Sequence, residues 1–340
     1  MFLRRMSIKS ILLLFVLFSI ITNTSMAQQP TTPVDINHPL LCDPDSGICE
    51  LSTRDATVSS KMILESSKTS KPIKLLYFTD PICSSCWGIE PQLRKLKLEY
   101  GNSIEIEYRM GGLLPDWSYN SGGISKPSDV AHHWDEVSVY YDMPIDGSVW
   151  LEDPLHSSYP PSIAFKAAQM QSNEKAILFL RAIREMVFLQ KKNITKWEHL
   201  EDAARQSALS ISSFKDAYEG TAKALFEADL LLSKEKGIRG FPTIIVMDTN
   251  GRQEWVYGSK SYSVYENAII KLYPTIAKQS YNKEPITLFD HYASLTAKEF
   301  SVLSGIPRNE CETVLDSLVK ANRVEVLPTP NGNLWYKKRN

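Results

Sequence analysis

The chain of 340 residues carries 38 basic and 39 acidic side chains, a formal charge of −1. That balance argues against a polycationic nucleic-acid binder or a basic membrane-surface protein. A hydrophobic content of 43% supports a substantial core in one large domain or two.

Residues 1–27 place Arg4, Arg5 and Lys9 before an apolar run from Ile11 to Ile21 and a small-residue site ending at Ala27. This is the layout of a secretory signal peptide. The run is shorter than the roughly 20 residues of a spanning helix. The expectation is an exported, periplasmic or extracytoplasmic protein with no stable membrane insertion after cleavage. Cleavage removes three positive charges and no negative ones, taking the charge from −1 to −4. Residues 28–71 are polar and rich in turn formers, and read as an extended arm with one pinned loop, CDPDSGICE, between Cys42 and Cys49.

PIKLLYFTD is an apolar run bounded by Pro72 and Pro81, as a strand buried on both faces would be. Ile89, Leu93, Leu96 and Tyr100 then recur on one face of a helix, and IEIEYRM (104–110) alternates as a second strand, which completes a βαβ unit. From 126 to 236 the pattern is helical, with stripes at Ile177, Leu180, Ile183 and Val187 and at Phe214, Tyr218 and Leu225. A block of about 110 residues far exceeds a parallel crossover and reads as an inserted helical domain. GIRGFPTIIVMD, a TNG turn, RQEWVYG and a helix from Tyr262 resume the α/β pattern. The expected organisation is an α/β domain over 72–125 and 237–280, the helical insertion over 126–236, and a winged-helix-like α+β module over 285–340, read from TAKEFSVLSGI, RNECETVLDSLVKAN, RVEVLP and NLWYK. In an exported chain that module suits interaction or dimerisation, not nucleic acid.

The chemistry concentrates in FTDPICSSCWGIEPQ (78–92). A Cys-x-x-Cys at a strand-to-helix junction puts Cys83 at the positive end of the helix dipole, where a thiolate is favoured, and Cys86 one turn on, able to resolve a mixed disulfide. Zinc would need a second ligand pair, which the spacing does not supply; the adjacent His132 and His133 read as surface or packing residues. No metal or organic cofactor is required. Downstream, RGFPT places an aromatic residue before Pro242 at a strand start, where a cis bond would leave Phe241 backbone groups free to pair with an incoming peptide. Trp87, beside the couple, is expected to shield it and to face the substrate with Phe241 and Pro242.

Residues 73–278 resemble the DsbA family of thioredoxin-fold proteins, in which a helical domain is inserted into the thioredoxin unit. DPICSSCWGIEPQLRKLKLEYG, YRMGGLL and the RGFPT loop are most similar to the FrnE-like and ClpXP-adaptor (SpxH, YjbH) branch. The resemblance implies Cys83 as nucleophile, Cys86 as resolving thiol and Pro242 as the cis-proline of the substrate groove. Ser84-Ser85 departs from the Pro-His of DsbA and the Gly-Pro of thioredoxin, and the adaptor branch is cytosolic, unlike a chain with an export signal. The expected activity is protein thiol:disulfide oxidoreduction, with thiol- or disulfide-bearing client proteins and a redox recycling partner. The alternative is an adaptor or chaperone that keeps the architecture without redox turnover.

In CDPDSGICE the positions of Asp43, Asp45, Gly47 and Arg54 fail the EF-hand pattern. Cys42 and Cys49 then either close a structural loop or form an auxiliary disulfide that exchanges with Cys83 and Cys86. Cys311, among Val314, Leu315 and Leu318, reads as a buried apolar residue.

Overall fold

The structure, a computed structural model, describes residues 46–50, 71–118 and 126–338. The leader at 1–27 and Cys42 lie outside the described residues. Those that are described fall within one compact unit, Asp35–Asn340.

The arm contributes a short strand, β1 (Cys49–Glu50). Strand β2 (Ile73–Thr79) is buried along its whole length, as the unbroken apolar run predicts. Helix α1 (Ser84–Gly88) and helix α2 (Glu90–Tyr100) follow, with Pro91 in the first turn of α2, where its missing N–H costs nothing. Strand β3 (Ile104–Met110) runs parallel to β2.

Helices α3 (Ser128–Tyr141), α4 (Val149–Glu152), α5 (Tyr159–Gln169), α6 (Asn173–Leu189), α7 (Trp197–Gln206), α8 (Ile211–Glu219) and α9 (Ala222–Glu235) come next. Then β4 (Gly240–Phe241), β5 (Thr243–Asp248), β6 (Gln253–Tyr257) and α10 (Tyr262–Leu272) complete the α/β unit. The sheet has the order β3-β2-β5-β6, with β5 antiparallel to both β2 and β6. This is a thioredoxin fold with an all-helical insertion between β3 and β4. The apolar faces of the helices and of the sheet merge into one core, in which Trp87, Trp134, Trp150 and Phe188 meet.

Beyond it, α11 (Leu288–His291), β7 (Ser294–Thr296), α12 (Ala297–Ser304), α13 (Arg308–Lys320), β8 (Val324–Thr329) and β9 (Gly332–Lys337) form the winged-helix-like unit, with strand order β7-β9-β8. It has its own apolar cluster around Phe300, Leu315 and Trp335, which also takes in the buried Cys311.

Candidate functional site

Residues 80–83 turn the chain from β2 into α1. Asp80 holds this turn: one carboxylate oxygen accepts the Ile82 N–H at 3.0 Å, and the other accepts the Leu113 N–H at 2.8 Å and the Ser158 hydroxyl at 2.9 Å. Burial raises its pKa to about 6, only partly offset by these donors. Cys83 caps α1, its sulfur accepting the Cys86 N–H at 3.1 Å. Behind the pair, the fully buried Arg184 of α6 donates to Thr79 Oγ1 at 2.7 Å and the Asp80 carbonyl at 3.2 Å, and pairs with Glu90.

Cys83 and Cys86 are both free and both without exposed surface. Their titration is the reverse of what the helix dipole alone suggests. Burial pushes the Cys83 thiol up, reinforced by the Cys86 sulfur with which it shares a proton. At Cys86 burial acts in the same direction but is outweighed by the Cys83 hydrogen bond and then by the Arg184 charge, which leaves it below an ordinary thiol. A five-residue α1 brings little dipole to Cys83, whereas the guanidinium is a whole charge.

The Phe241–Pro242 bond is cis. Phe241 is buried, and its ring closes over Gly111, where a Cβ would stand 1.7 Å from Phe241 Cζ. Its backbone is paired: β1 runs antiparallel to β4, with Cys49 opposite Phe241 and Glu50 opposite Gly240. This brings the Cys49 sulfur to 3.2 Å from that of Cys83. Cys49 itself is disulfide-bonded.

The structure thus gathers Cys83, Cys86, Phe241, Pro242 and Cys49 in one place. Trp87 is different. It has no exposed surface, donates its indole N–H to the Pro144 carbonyl at 3.0 Å, stacks on Phe188, and lies under the Arg181 guanidinium at 4.4 Å. It is a core residue beneath the couple, so the expectation that it faces a substrate is corrected. Sequence reading also passed over Arg184 and Asp80. An ionisable residue beside the apolar stripe of Ile183 and Val187 was the available sign of the first, and an acid ending a strand buried on both faces was the sign of the second.

The thioredoxin family model (Thioredoxin_5) matches residues 76–267. A ClpXP adapter protein SpxH from Halalkalibacterium halodurans is 33% identical over 86% of this chain and 96% of its own length. The ClpXP adapter protein SpxH of Bacillus subtilis is 28% identical over 78% of this chain and 89% of its own. A solved structure of a candidate protein disulfide isomerase from Nitrosomonas europaea superposes with a TM-score of 0.51 at 22% identity, covering 61% of this chain and 97% of that one, which speaks to the fold.

These relatives overturn two expectations. Proteins similar over 78% to 86% of the chain are named as adapters, not oxidoreductases, which corrects the expected enzyme. They are named as adapters for ClpXP, which overturns the expected periplasmic or extracytoplasmic location. By its match over residues 76–267 and a relative 33% identical over 86% of its length, the chain belongs to the thioredoxin family, in the branch that holds the SpxH proteins.

Proposed function

We propose that this chain is a protein-binding adaptor built on the thioredoxin fold, which holds a client protein and presents it to a protease of the ClpXP type. The observation that carries this reading is the closed state of the cysteine site. A catalyst of disulfide exchange offers a nucleophilic sulfur to solvent, whereas here Cys83 is buried, its thiol is raised, and the edge beside it is already strand-paired. Similarity over 86% and 78% of this chain to proteins named as ClpXP adapters supports the same conclusion. The binding device is the backbone of Gly240–Phe241, which pairs with an extended segment as an added strand.

The reading is tested by purified ClpXP degradation of proteins captured on the full chain. The chain should shorten the lifetime of at least one captured protein, and the Cys83→Ser/Cys86→Ser variant should do so equally well, while neither speeds insulin reduction above a free-dithiol background. If degradation is unaffected by the chain, or if the double variant loses the effect together with catalysed insulin reduction, the adaptor reading is overturned.

A further inference from the structure

Helices α2 and α6, strand β3 and the segment leading into β7 together line a cavity of about 230 Å³. Leu93, Ile106, Ile177, Leu178 and Leu180 give it apolar walls, and most of its polar groups are already engaged. Glu90 pairs with Arg184, and Arg181 with Glu299 and Glu185. Arg94 donates to the Ser294 carbonyl at 2.7 Å, and the Tyr292 hydroxyl to the Arg94 carbonyl at 2.8 Å. Two lining groups are placed differently. Tyr108 is only 8% exposed, yet its hydroxyl makes no hydrogen bond to any described residue. Glu90, Arg94 and Tyr292, which line the same cavity, are among the groups acting on that hydroxyl, so it faces the cavity. Burial, reinforced by Glu90, holds its pKa above that of an ordinary phenol, which keeps it a donor. Lys97 stands exposed at the rim and forms no hydrogen bond or ion pair among the described residues. Glu174, on α6, acts on it only at a distance and accepts from Ser172 Oγ at 2.8 Å.

We propose that this cavity binds a small amphipathic acid. Its apolar body lies against Leu93, Ile106 and Ile177, an acceptor oxygen within that body takes the Tyr108 hydroxyl, and a terminal carboxylate sits at Lys97. Apolar walls with a few placed polar groups are the common form of a small-molecule site. A purely apolar occupant leaves the buried Tyr108 hydroxyl without an acceptor, which costs free energy. A cationic occupant is disfavoured, because the lining carries Arg94, Lys97 and Arg181 against Glu90 and Glu174, and Lys97 is the cation without an ion pair. Leu93 and Ile106 belong to the thioredoxin body, and Tyr292 and Ser294 to the C-terminal unit, so an occupant touches both and ties them together. The inference goes beyond the adaptor reading, and neither depends on the other.

The probe is 4-benzoylbenzoate, an aryl carboxylate whose mid-body ketone is both a hydrogen-bond acceptor and photoreactive. Calorimetric titration of the full chain should show saturable binding of one probe per chain. Tyr108→Phe deletes only a hydroxyl without a partner among the described residues, so the fold is kept, and affinity should fall about fivefold, the worth of one net hydrogen bond. Lys97→Met should weaken the probe about threefold, as for an exposed ion pair, and leave binding of the uncharged 4-benzoylbenzamide unchanged. Irradiation should attach the probe within 104–108 or 177–181, and saturation should slow amide exchange over 292–294. No saturation by about 1 mM probe, attachment confined to other segments, or an affinity that either substitution leaves unmoved would overturn the site. Unchanged exchange over 292–294 at saturation would refute the tie between the two units.

Discussion

Asp80 makes the stability of the protein depend on pH in a direction opposite to that of most carboxylates. Its folded pKa, about 6, lies above the unfolded value. Below the unfolded value both states hold the proton and no penalty exists. As pH rises from about 4 to about 6 the unfolded chain loses its proton first, so stability falls by about 3 kcal/mol and then levels off. Urea midpoints of the parent and Asp80→Asn should diverge over that window, the parent losing stability relative to the variant as pH rises; parallel curves would refute the account. Arg184 acts on the neighbouring thiol. In a Cys83→Ser background, where Cys86 titrates alone, Arg184→Met should move the thiolate absorbance midpoint upward by about one pH unit, because the nearest positive charge is gone. An unmoved midpoint would mean that Arg184 only packs and holds Glu90.

At the scale of elements, β2, α2 and β3 were legible because each announces itself locally: an unbroken apolar run, a period near 3.6, and an alternation of two. The two-residue strand β1 has no such period, and its partner β4 lies some 190 positions away, so the pairing of Cys49 with Phe241 is invisible to any window. The same holds for Trp87. Its position beside Cys86 is a fact of sequence, but the face it occupies is set by Phe188 and Pro144, and reading adjacency as exposure placed it wrongly in the groove. Strand β7 went unread because it is three residues long, completing a sheet with β9. The start of α12 was carried by a local signal that can now be weighed. Thr296 accepts the Glu299 N–H at 3.2 Å while the Glu299 carboxylate accepts the Thr296 N–H at 2.8 Å, a reciprocal capping box. Thr296→Ala should cost about 1–2 kcal/mol in the urea midpoint. A cost indistinguishable from zero would show that the carboxylate alone secures this helix end.

For the whole molecule the decisive feature is how the winged-helix-like unit is fastened to the thioredoxin body. Glu299, fully buried, receives Arg181 of α6 through both oxygens at 2.7 and 3.1 Å and stands 3.2 Å from Arg94 of α2. Arg181 in turn covers Trp87, and Arg184 and Arg94 share Glu90. One charged cluster therefore joins the floor of the cysteine site to the C-terminal unit, while the two apolar clusters stay largely separate. Burial alone would raise the Glu299 pKa, but the Arg181 and Arg94 charges outweigh it and hold the carboxyl below the usual carboxylate range. Its contribution is thus fully present above the unfolded value and lost as pH falls through the lowered folded one. Glu299→Gln removes the charge but keeps the shape, leaving two buried guanidiniums short of a counter-charge, a change worth about 3–5 kcal/mol. Because the C-terminal unit has its own core, the loss should be local. Amide exchange should accelerate across 285–338 while β2 and β5 stay protected, and acid strong enough to fall below the usual carboxylate range should reproduce the pattern in the parent chain. Acceleration spread evenly over both cores would mean instead that the molecule opens only as a whole, with the charged cluster acting as part of a single core.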